Sequence, residues 1–110
     1  MFRFLKKLFS QKIESITTKE LEHLLKDKKI RLLDVRSQQE YHRGHIKEAR
    51  NLPLNRLKSY QAPKSNPVYI ICQSGMRSKR AANILSQKGY QVVNVSGGMS
   101  AYTRKIIGGK

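Results

Sequence analysis

The chain has 110 residues, 23 of them Lys or Arg and 7 Asp or Glu, for a formal charge of +16, and 38% of it is hydrophobic. A chain of this length forms one compact domain burying roughly 60–70% of its extended surface, which excludes two independent domains, and the apolar fraction excludes wholesale disorder. One cysteine, Cys72, excludes a cystine-stapled scaffold, and no Cys/His spacing fits a zinc site.

No apolar run reaches the roughly 18–20 residues that span a bilayer, or the h-region of about 7–15 residues in a signal peptide. The expected location is therefore the cytoplasm. Residues 1–14 stand apart in character. Met1 to Ile13 carry Arg3, Lys6, Lys7 and Lys12 and no acid, with Phe2, Leu5, Phe9 and Ile13 at helical spacing. The plainer reading is a frayed leader or a short helix packed on the domain; the others are contact with an anionic membrane surface and, with one Arg and little Ser less in its favour, a cleaved organelle-targeting leader. The basic excess is not confined to this segment, since the remainder holds 19 basic residues against all 7 acids. No helix-turn-helix pattern, RNA-binding signature or basic stretch interleaved with aromatics accompanies it, so no specific nucleic-acid partner is expected. The charge would instead draw small anions toward an open cleft.

After a short extended stretch near Ile16, Thr17-Thr18-Lys19-Glu20 reads as a capping box that opens a helix running to about Asp27. Ile30, Leu32 and Leu33 form a short strand ending at Asp34. A second capping box, Ser37-Gln38-Gln39-Glu40, opens a helix stopped by Gly44. Ala49 to Leu54 is extended around Pro53, Asn55 to Tyr60 is a short helix, and Ala62 to Pro67 is a polar loop. Val68-Tyr69-Ile70-Ile71 has the apolar, β-branched character of a central parallel strand. The helix after it carries Ala81, Ala82, Ile84 and Leu85 on one stripe and closes at Gly89. Val92, Val93 and Val95 give a last strand, Ser96-Gly97-Gly98 a turn, Met99 to Lys105 a last helix and 108–110 a loose tail. Such alternation predicts an α/β domain over residues 15–107, a central parallel β-sheet flanked by helices on both faces.

Cys72 falls at the carboxyl end of the central strand, where open α/β sheets bind ligands and where the next helix offers unpaired N–H groups. Cys72-Gln73-Ser74-Gly75-Met76-Arg77-Ser78 puts a thiol, a turn-forming glycine and a cation into one tight loop. A helix N-terminus and an arginine both favour thiolate over thiol, so the Cys72 pKa is expected below that of a free cysteine. The loop amides from Gln73 to Ser78 would form an anion-holding nest, with Arg77 adding charge. Taken alone, a lone cysteine is a buried small hydrophobe and an isolated Arg77 a solvated helix cation; their spacing around Gly75 reverses that reading. His23 and His42 read as surface residues, and His45, beside Gly44, as a partly buried histidine bonded to backbone.

These residues carry a resemblance. From about Ser15 to Ile107 the chain resembles a single-domain rhodanese, a sulfurtransferase module. Leu33-Asp34-Val35-Arg36, Glu40-Tyr41, Gly44-His45-Ile46, Ala49 and Asn51 to Leu54 resemble its first block, and Cys72 to Ser78 with Ala81, Ala82 and Leu85 its active-site loop and helix. Gly89-Tyr90, Val93-Asn94, Gly97-Gly98 and Ala101-Tyr102 resemble its closing strand and turn.

The resemblance implies that Cys72 carries sulfane sulfur as a persulfide, received from thiosulfate or a persulfide and passed to a thiol or cyanide. Arg77 with Gln73, Ser74, Gly75, Met76 and Ser78 would bind the donor's charge, and Asp34, Arg36 and His45 would support the loop. No metal or organic cofactor is implied, a protein donor or acceptor is compatible, and a monomer is expected. Two departures stand out: Gln73 where many thiosulfate-using relatives have a basic residue, and Tyr102 where Trp is frequent. The first suggests that thiosulfate is a poor donor. The alternatives are a noncatalytic or complex-bound relay module, and a phosphatase. Phosphatase loops of this general type put five residues between Cys and Arg; here there are four.

Overall fold

A computed structural model describes residues 13–109, so the basic amphipathic segment expected over residues 1–14 lies outside the described residues except for its last two. Five strands, β1 (Glu14–Ile16), β2 (Arg31–Asp34), β3 (Ala49–Asn51), β4 (Val68–Ile71) and β5 (Val92–Val95), form one sheet in the order β1-β5-β4-β2-β3. Every pairing is parallel. Parallel neighbours require crossover connections, and the chain supplies them as helices on both faces.

On one face, α3 (Met76–Gln87) and a 3-10 helix (Leu54–Ser59) bury Ala81, Ala82, Leu85, Leu57 and Tyr60 against Val68, Ile70 and Val92. On the other, Leu21 of α1 (Thr18–Asp27) and Tyr41 of α2 (Gln38–Arg43) pack with Leu32, Ile71 and Val95. The central strand β4 is covered on both faces, which is why Val68 to Ile71 reads as an unbroken apolar run.

Both capping boxes form. Glu20 N–H donates to Thr17 Oγ1 at 3.1 Å while Thr17 N–H donates to the Glu20 carboxylate at 2.8 Å. Glu40 N–H donates to Ser37 Oγ at 3.2 Å and Ser37 N–H to Glu40 Oε1 at 3.0 Å. Each cap contributes about 1 kcal/mol. The α2 box does more than end a helix, because it fixes the rotamer of Glu40 close to the Cys72 loop.

Two expectations are corrected. The short helix after Pro53 is of the 3-10 type and starts one residue earlier, at Leu54. The last helix, expected from Met99 to Lys105, is a single turn, α4 (Gly98–Ala101). Tyr102 turns extended, and the chain runs on to Ile107, whose N–H and C=O exchange two 2.8 Å hydrogen bonds with His45. A helix of seven residues has little intrinsic stability, and this antiparallel bridge satisfies two backbone groups of a buried histidine. Beyond it, Gly109 N–H donates to His42 C=O at 2.9 Å.

The turn into α4 sits directly on the Cys72 loop. Met99 N–H donates to Cys72 C=O at 2.8 Å and Ser100 N–H to Gln73 C=O at 2.9 Å. This approach requires Gly98: its φ is +57°, and a Cβ there would run into the Cys72 carbonyl oxygen and lie 2.8 Å from the Gln73 carbonyl. Gly98→Ala is expected to lower stability by about 1–3 kcal/mol through backbone crowding, read as a lower urea midpoint. An unchanged midpoint would show that the turn can move away from the loop without cost.

Candidate active site

Cys72 follows β4 immediately, and its side chain is 1% exposed. The chain then turns through Gly75, whose φ of +101° is left-handed, and enters α3 at Met76. This turn curls the backbone around the sulfur. Gly75 N–H donates to Cys72 Sγ at 3.0 Å, and Ser78 Oγ lies 3.4 Å from it. The Ser78 hydroxyl has a second acceptor, Gly75 C=O, at 3.1 Å. When sulfur carries a proton the hydroxyl can turn to that carbonyl; when sulfur is ionised it donates to sulfur.

The Cys72 pKa is lowered from its ordinary value. Burial is the largest single influence and pushes it up, but the Ser78 hydroxyl and the amides of Ser78, Gly75 and Ser74 together more than offset that. The direction agrees with the sequence-based expectation while the cause differs. Arginine was expected to share the work with the helix N-terminus; the hydroxyl and the amides are the principal stabilisers.

Arg77 is held elsewhere. Its Nη1 and Nη2 donate to Glu40 Oε1 and Oε2 at 2.6 and 2.8 Å, a bidentate pair across 37 positions of sequence. The guanidinium lowers the Glu40 pKa from 4.5 to about 2, and Glu40 in turn raises that of Arg77, with Cys72 a smaller contributor in the same direction. Met76 is 74% exposed and Ser74 is exposed.

Gln73 does not project freely either. Its Oε1 accepts from Arg36 Nη1 at 3.2 Å, and its Nε2 donates to Ser100 Oγ at 3.2 Å. Arg36 is buried, paired with the fully buried Asp34 through Nε (2.9 Å) and Nη2 (2.8 Å), and Nη2 also donates to Gly44 C=O at 2.8 Å. One guanidinium thus ties β2, the end of α2 and the loop together. His45 is 1% exposed rather than partly buried, hydrogen-bonded through Nδ1 to Tyr41 C=O at 2.7 Å and stacked on the Tyr41 ring at 3.6 Å. His23 and His42 are exposed.

The structure therefore assembles Cys72, Gly75 and Ser78 around the sulfur, with Gln73, Asp34 and Arg36 one layer behind, and leaves His45 in the wall beyond α2. Glu40, Gly98 and Ser100 were missed as site residues. Glu40 had been absorbed by its helix cap, and the other two lie more than 20 residues from Cys72 in sequence. Among the described residues no cluster of three His, Cys, Asp or Glu could hold a metal ion, and no helix is long and apolar enough to cross a membrane.

Residues 17–105 match the family model described as a rhodanese-like domain. The chain belongs to the rhodanese-like family. It is 37% identical over 102 residues to the uncharacterized protein YqhL of Bacillus subtilis, covering 90% of this chain and 80% of that one. It is also 34% identical over 96 residues to a protein of Allochromatium vinosum named sulfurtransferase, covering 84% and 90%. A solved rhodanese-like domain protein of Staphylococcus aureus superposes with a TM-score of 0.78 at 33% identity, over 89% of this chain and all of that one. With the putative sulfur carrier protein YrkF of Bacillus subtilis, 33% identical, the match spans 48% of the relative's length. This chain thus spans about half the length of YrkF.

If Ser78 and the loop amides set the acidity of the sulfur, Ser78→Ala will move the midpoint of Cys72 alkylation with iodoacetamide to higher pH and slow the reaction several-fold near neutrality. An unshifted profile would assign the acidity to the amides alone.

Proposed function

We propose that this rhodanese-like domain is a sulfurtransferase that carries one sulfane sulfur on Cys72. The observation that supports this reading best is the tight loop around a single buried sulfur, with the Gly75 amide at 3.0 Å and the Ser78 hydroxyl at 3.4 Å. Such a nest stabilises a sulfur anion.

The Cys72 thiolate attacks the outer sulfur of the donor. With a persulfide, the S–S bond breaks, the donor thiolate leaves with the electron pair, and the transferred sulfur becomes Cys72–S–S⁻. With thiosulfate the leaving group is sulfite. An acceptor thiolate or cyanide then attacks the terminal sulfur, forming an acceptor persulfide or thiocyanate, and Cys72 leaves as the thiolate it began as. No net oxidation occurs, and each half-reaction exchanges one bond to sulfur for another. The low pKa serves both steps: it supplies the nucleophile in the first and makes Cys72 a good leaving group in the second.

Asp34, Arg36 and Gln73 act here as positioning residues, holding the loop's backbone against β2. Neither half-reaction calls for a metal or an organic cofactor. A free low-pKa thiol suits a reducing compartment, which supports a cytoplasmic location. Four residues between Cys72 and Arg77, with Arg77 turned to Glu40, do not favour a phosphatase.

Brief exposure of purified protein to glutathione persulfide is expected to add the mass of one sulfur atom, removable by excess thiol and absent from Cys72→Ser. Intact-mass spectrometry reads this directly. Loading that persists in the variant, or absence of loading by persulfide and thiosulfate alike, would overturn the reading.

A further inference from the structure

The charge around Cys72 does not resemble the charge of the chain. Against a net +16, two of only seven acidic residues stand beside the Cys72 loop, and each is paired with an arginine there. Arg36 gives Nε and Nη2 to Asp34, and Arg77 gives both Nη groups to Glu40. Position 73, the next approach to the sulfur, is a neutral amide held between Arg36 and Ser100.

The charges of Arg36 and Arg77 are therefore each offset by a carboxylate, and the groups that reach the sulfur itself are the Gly75 amide and the Ser78 hydroxyl. A dianion meets a different situation from a persulfide here. A sulfonate end would have to share Arg77 with Glu40, or displace that carboxylate from a bidentate contact, with a negative oxygen then left close to it. Unlike charges this close attract and like charges repel, more strongly at a partly buried site than in open water. A persulfide presents one sulfur bearing at most a single charge, with its remaining bulk outside the loop. It needs the amides and nothing from Arg77.

Resting on the sulfur-transfer reading, we propose that Glu40 is a specificity-determining residue: by neutralising Arg77 it selects persulfide donors over dianionic oxyanion donors such as thiosulfate. Glu40 touches no reacting atom; it acts through Arg77. The double use of its carboxylate fits this role, because Ser37 N–H and Oγ hold Oε1 at 3.0 and 3.1 Å and so fix the group that clamps Arg77.

The test compares Cys72 loading by thiosulfate and by glutathione persulfide in wild type, Glu40→Gln and the double variant Glu40→Gln/Arg77→Gln. Glutamine at this position still closes the capping box, so α2 is retained, and a thermal melt checks it. In Glu40→Gln the ratio of kcat/KM for thiosulfate to that for persulfide is expected to rise about tenfold, the effect of roughly one unshielded charge at an exposed-to-buried boundary. The gain should shrink as ionic strength rises and vanish in the double variant. A ratio that stays constant, or a gain that survives without Arg77, would overturn the proposal while leaving sulfur transfer intact. A failure of both donors to load Cys72 in every variant would instead remove the sulfur-transfer reading and the filter with it. Wild-type protein supplies a check free of mutation: millimolar sulfate should not slow Cys72 alkylation, and protection by sulfate would contradict a site that rejects dianions.

Discussion

Everything at the carboxyl edge of this sheet follows from one requirement, that a sulfur atom almost fully withdrawn from water be able to carry a negative charge. Burial alone would favour the neutral thiol. The chain meets the requirement with its own backbone: a left-handed glycine at position 75 turns the amides inward, and the first turn of α3 brings Ser78 under the sulfur. These donors are fixed before any substrate arrives, so stabilising the anion needs little reorganisation. The hydroxyl of Ser78 adds an adjustable element, with a carbonyl to fall back on when the sulfur is protonated.

A loop of this curvature has to be braced from outside, and the fold braces it on two sides. From β5 comes the α4 turn, whose amides take the carbonyls of Cys72 and Gln73, an approach that only glycine at position 98 permits. From β2 comes Arg36, buried against Asp34 and reaching the Gln73 side chain. A buried guanidinium is costly unless its partners are complete, and here a carboxylate, a backbone carbonyl and an amide oxygen receive it. The Asp34–Arg36 pair thus secures geometry more than it supplies charge. The same economy holds at Glu40–Arg77. A chain with 23 lysines and arginines places two of its seven carboxylates against Arg36 and Arg77, beside the Cys72 loop.

How much of this the sequence disclosed depended on separation along the chain. Both capping boxes were legible because each spans four consecutive residues, and β4 was legible because an apolar run of four has few other uses. The Cys72 loop was legible for the same reason: cysteine, glycine and serine lie within seven positions. The hydrogen bonds that brace it were not. Glu40 meets Arg77 and Arg36 meets Gln73 across 37 positions, and Ser100 meets Gln73 across 27. Periodicity carries no information about such contacts. The last helix is shorter than its pattern for a related reason: residues 102–105 read as helical, yet the chain leaves the helix after Ala101 to reach the antiparallel bridge between Ile107 and His45. Arg77 is the instructive case, since its spacing from Cys72 pointed to the sulfur and its partner proved to be a capping residue.

On the proposed reading, backbone amides and Ser78 rather than an arginine hold the transferred sulfur. A crystal structure of the persulfide-loaded protein tests this most directly. It should show the outer sulfur inside the loop, within hydrogen-bonding distance of the amides between Ser74 and Ser78, with Arg77 still paired to Glu40. An outer sulfur directed to solvent, or Arg77 released from Glu40 to contact it, would contradict the account.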